Sequence, residues 1–68
     1  MASTNDFKQR LLDEIDQNQE RLTKLLAFLK TPVFLNLEEE DQNLLVKQSK
    51  LMSDLDFILK ERARRLGV

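Results

Sequence analysis

The chain has 68 residues, 34% of them charged, a formal net charge of −1, one glycine, one proline, and neither cysteine nor histidine. A chain this short buries only about 60% of its unfolded surface and is marginal without a staple, and disulfides and the common zinc arrangements are excluded by composition. What remains is a second copy of the chain or a partner. Catalysis by a nucleophile–base pair has little to draw on, and no cofactor motif is present.

The N-terminal run "MASTNDFKQR" lacks a basic region followed by an apolar one, and no apolar stretch approaches the ~18 residues of a membrane span. The expectation is a soluble cytoplasmic protein with no membrane contact.

The first predicted helix runs over about 5–30. Ser3, Thr4 and Asn5 offer capping oxygens, and Asp6 suits the positive end of the helix dipole. Leu11, Ile15, Leu22, Leu25 and Leu29 recur at heptad spacing, with Asn18 in the one missing step. Phe7, Leu12, Leu26 and Phe28 widen this seam at its ends. Asp13, Asp16 and Glu20 share a helical spacing that could suggest a metal or a carboxylate pair, but a solvated helix face is the stronger explanation.

A turn over 31–36 follows, because Pro32 disfavours helical geometry in Thr31. Val33, Phe34 and Leu35 are more apolar than a connection requires. They are expected to close the end of a helical core, with Phe34 inward and the others beside the acidic run as a partner-binding patch.

The second predicted helix runs over about 37–66. Asn36 and Glu39 have the spacing of a capping box, and Glu38, Glu39, Glu40 and Asp41 suit a helix N-terminus. Consecutive helical residues point about 100° apart, so these four carboxylates do not converge on a metal. At the far end, Arg62, Arg64 and Arg65 occupy the last turn before Gly67.

This helix carries two adjacent apolar columns. One is Leu44, Leu51 and Ile58; the other is Leu45, Met52, Leu59 and Leu66, joined by Leu55 and Ala63. One antiparallel neighbour covers only a narrow seam. The predicted fold class is therefore all-α: an antiparallel two-helix hairpin, a single domain over residues 1–68, dimerising into a four-helix bundle. Val46 and Phe57 fall outside the columns and are candidate anchors for a partner protein. Lys60, Arg62, Arg64 and Arg65 are the alternative site, for nucleic acid, although a helix C-terminus favours basic residues in any case.

Charge is ordered along the chain. Residues 1–30 are neutral, residues 31–41 carry −4, and residues 42–68 carry +3. Two hairpins packed head to tail bring the acidic turn of one beside "KERARR" of the other. Exposed pairs contribute ~0–1 kcal/mol each, so they select orientation rather than supply affinity.

The run from Leu25 to Leu66 resembles small early-region accessory proteins of temperate, lambda-like tailed bacteriophages. The residues that carry the likeness are Phe28, Leu29, Phe34, Gln42, Leu44, Leu45, Gln48, Met52, Ile58, Leu59 and Arg62. The resemblance implies a protein made in the bacterial host cytoplasm that binds a host factor or defence component and is not an enzyme. The expected function is thus a homodimeric interaction module with a host protein as partner. Its alternatives are a nucleic-acid-binding regulator and the sequestration of an anionic signalling nucleotide.

Overall fold

In a computed structural model of the protein, the backbone is described for residues 4–68 and side chains from residue 6 onward. The capping side chains expected at Ser3, Thr4 and Asn5 lie outside the described residues. The described chain is helical throughout, without strands, as α1 (Thr4–Phe28), α2 (Pro32–Leu35) and α3 (Glu39–Leu66).

The two long helices pack against each other, and the pairing is antiparallel. Phe7 of α1 meets Leu66 of α3, and the Asn18 side chain donates to the Met52 carbonyl at 2.9 Å. The result is a rod of 49 × 17 × 17 Å. Its buried apolar set among the described residues is small: Leu11, Ile15, Leu59 and Ala63, all toward the end that holds the C-terminus of α3. Asn18, buried in the same seam, uses its amide to tie α1 to the backbone of α3. One oxygen of Asp56 is also buried and has no donor, while the other accepts from Lys60 at 3.0 Å.

The connection is more structured than the turn expected over 31–36. Thr31 is the N-cap of α2: its hydroxyl accepts from the Phe34 N–H at 3.3 Å and donates to the Phe28 carbonyl at 2.7 Å. Pro32 occupies the first helical position, where its missing N–H costs nothing and its fixed φ favours the turn. The expected capping box at Asn36 and Glu39 is not formed. Asn36 instead ends α2, and α3 begins after Glu38, whose side chain makes no capping bond.

Gln42 takes over the tie between the two helices. Its amide nitrogen lies 3.0, 3.2 and 3.1 Å from the carbonyls of Phe34, Leu35 and Leu37. The other end of α3 closes in a Schellman arrangement. Gly67 adopts φ 76°, its N–H reaches the Arg64 carbonyl at 3.2 Å, and the Val68 N–H reaches Ala63 at 3.0 Å.

Candidate functional site

Three surfaces hold the residues singled out from sequence, and the geometry treats them differently. At the turn, Phe34 is half-buried and meets Phe28 edge to face, with ring centroids 6.3 Å apart. The ring packs at the hairpin end. Val33 and Leu35 point outward, 59% and 71% exposed.

The second surface is the outer face of α3. Leu45, Met52 and Leu59 turn toward α1, as do Leu11, Ile15, Leu22, Leu25 and Leu29 from the other side. Leu44, Leu51, Leu55 and Ile58 do not. They are exposed on the hairpin, Leu51 by 68%. At about 100° per residue, these four fall within an arc of about 60°, set about 110° from the side that meets α1. Val46 and Phe57 lie about 140° further round, on a third side. They too are exposed.

The third surface is the basic end. Here the four cations proposed for nucleic acid divide into two pairs. Lys60 is held by Asp56 at 3.0 Å, and Arg64 forms a two-pronged contact with Glu61 at 3.1 and 3.3 Å. Both are bonds within one helix. Arg62 and Arg65 have no ion pair among the described residues. With Phe7 and Leu66 they line an open cleft of about 230 Å³. The cleft wall is almost wholly carbon, so the arginines contribute their methylene stems to it.

Phe7 has no place among the binding residues read from sequence, where it only widens a seam. The signal was available: an antiparallel hairpin folded near residues 31–36 returns the last turn of α3 to the first turns of α1. The arrangement is suited to binding. An exposed ring face accepts a flat apolar group, and two unpaired guanidinium groups accept an anion.

Among the described residues no group of three or more acidic side chains is placed to hold a metal. No helix among them is long and apolar enough to cross a membrane.

A family model described as Sequestin matches residues 5–65, almost the whole hairpin. The chain belongs to the Sequestin family. The match takes in Phe7, both unpaired arginines, the turn and the exposed leucine face of α3. The Sequestin name suggests sequestration. Neither a comparison with curated proteins nor one with solved structures gives a match.

Proposed function

We propose that this Sequestin-family chain is a non-enzymatic sequestering protein that works as a homodimer, two hairpins forming a four-helix bundle, and withdraws a host-made anionic molecule of the nucleotide class from solution. The observation that carries this reading is the cleft in which Phe7 stands beside the unpaired Arg62 and Arg65. A ring and two guanidinium groups are complementary to a base and its phosphates. The absence of histidine and cysteine supports binding without chemistry. The resemblance to early-region proteins of temperate phages supports an accessory role in the host cytoplasm, where removing a signal needs no turnover.

A second reading has its own observation. Phe57 and Val46 are exposed on a side of α3 that faces neither α1 nor the leucine arc, with 68% of Phe57 accessible. That favours a host protein as the sequestered partner.

Equilibrium binding and thermal unfolding of the full chain with a panel of mono-, di- and cyclic nucleotides separate the two. The nucleotide reading expects a stabilisation that Arg62→Ala and Arg65→Ala each weaken by about 10–100-fold in affinity, the range for hydrogen bonds to charged groups. Loss of a host-protein complex on Phe57→Asp, with no response to any nucleotide, would establish the second reading instead. Retained duplex DNA or RNA, lost on neutralising the same arginines, would make the chain a nucleic-acid binder.

A further inference from the structure

The outer face of α3 is unfinished in a single chain. A compact protein of 8.0 kDa is expected to expose roughly 4,450 Å². This chain exposes 5556 Å², an excess of roughly 1,100 Å² over that expectation. A stable interface buries about 800 Å² on each partner. Part of the excess follows from the elongated 49 × 17 × 17 Å shape, but it is of the size that one interface buries per chain, and the leucine arc of α3 is where the large apolar groups concentrate.

The arc has an internal symmetry. Leu44 and Ile58 stand seven residues on either side of Leu51, and Glu40 and Arg62 stand eleven on either side. All five fall on one face of α3 at about 100° per residue. A two-fold axis passing by Leu51 makes residues equidistant from it meet. Leu44 then faces Ile58 of the second copy, and Glu40 faces Arg62 of the second copy. The acidic start of each α3 lies against the basic end of the other. In the parallel arrangement Glu40 meets Glu40 and Arg62 meets Arg62, which is repulsive at both ends.

We infer that the leucine arc is the docking face for a second copy of this chain, antiparallel and centred on Leu51, and that the second copy walls the Phe7–Arg62–Arg65 cleft with the start of its α3. The cleft of one chain, about 230 Å³, is below the ~300–1,000 Å³ of ordinary ligand pockets. The second copy supplies the missing wall, and Glu40 of that copy takes one edge of the Arg62 guanidinium, whose remaining N–H donors are left, with Arg65, for the anion. The inference rests on the sequestering reading for the use of the cleft, but the interface itself does not depend on any ligand.

The chain has no cysteine, so each introduced thiol is alone. Leu51→Cys, Leu44→Cys, Ile58→Cys and Phe57→Cys are made in the full chain and oxidised under mild conditions. Leu51→Cys is expected to form a disulfide-linked dimer by itself. Leu44→Cys and Ile58→Cys are expected to do so only when mixed with each other, and Phe57→Cys not at all. Self-linking of Leu44→Cys and Ile58→Cys would overturn the antiparallel direction, and self-linking of Phe57→Cys in place of Leu51→Cys would overturn the choice of face. Sedimentation of the unaltered chain guards against a variant that misfolds: a monomer at every concentration would overturn the interface outright. Crosslinking without nucleotide binding would remove the ligand reading alone, and nucleotide binding by a monomer would remove the interface alone.

Discussion

At the residue scale, Asn18 shows how a single polar side chain sets the register of two helices. Its amide donates to the Met52 carbonyl from a site only 8% exposed. Asn18→Ala removes one net hydrogen bond and is expected to cost about 1 kcal/mol in urea unfolding. Asn18→Leu fills the seam with carbon and is expected to equal or exceed the parent stability, at the cost of a less specific helix register. Leu59, 1% exposed, carries far more. Leu59→Ala is expected to cost about 2–5 kcal/mol, against a total of roughly 3–10 kcal/mol for a domain of this size. It should leave little folded protein by circular dichroism at room temperature. Asn18 was legible in the sequence because it occupied the missing heptad step. The division of the cations was not, since both the paired Lys60 and Arg64 and the unpaired Arg62 and Arg65 read alike as basic residues near a helix end.

At the element scale, the connection between the long helices is where sequence and structure part. Proline is legible as a break, but it also starts helices, and here Thr31 caps a new turn that Pro32 opens. The acidic run after Asn36 suits a helix N-terminus by charge without any of its side chains capping one. What fixes α2 against α3 is Gln42, a side-chain tie to three carbonyls of the preceding turn that no capping motif announces. Thr31→Ala is expected to destabilise the hairpin by about 1 kcal/mol. Gln42→Ala should cost a similar amount, about 1 kcal/mol, by unmaking bonds to the end of α2. Hydrogen exchange should then show faster exchange at Asn36 and Leu37, whose N–H groups close α2, with the pairing of α1 and α3 unchanged.

At the scale of the whole molecule, the two apolar columns of the second helix said from the start that one neighbour was not enough. In the single hairpin one column meets α1, and the other, with Leu51 at its centre, faces outward. Leu51→Asp therefore has little to disturb within a single chain, where surface substitutions usually stay within about 0.5 kcal/mol. It is expected to leave helicity intact while shifting sedimentation toward monomer. The cleft at the basic end was the least legible feature. It joins the first turns of α1 to the last turn of α3, and only the antiparallel return brings Phe7 to Arg62, Arg65 and Leu66.

The central claim is that this chain holds a nucleotide-class molecule and does not transform it. The direct measurement is to saturate the protein with a nucleotide that stabilises it, remove unbound material, denature the complex by heat and identify what is released. The account predicts stoichiometric recovery of the same nucleotide, chemically unchanged, and no recovery from the Arg62→Ala/Arg65→Ala double variant. Release of a cleaved or modified product, or equal retention by the double variant, would contradict it.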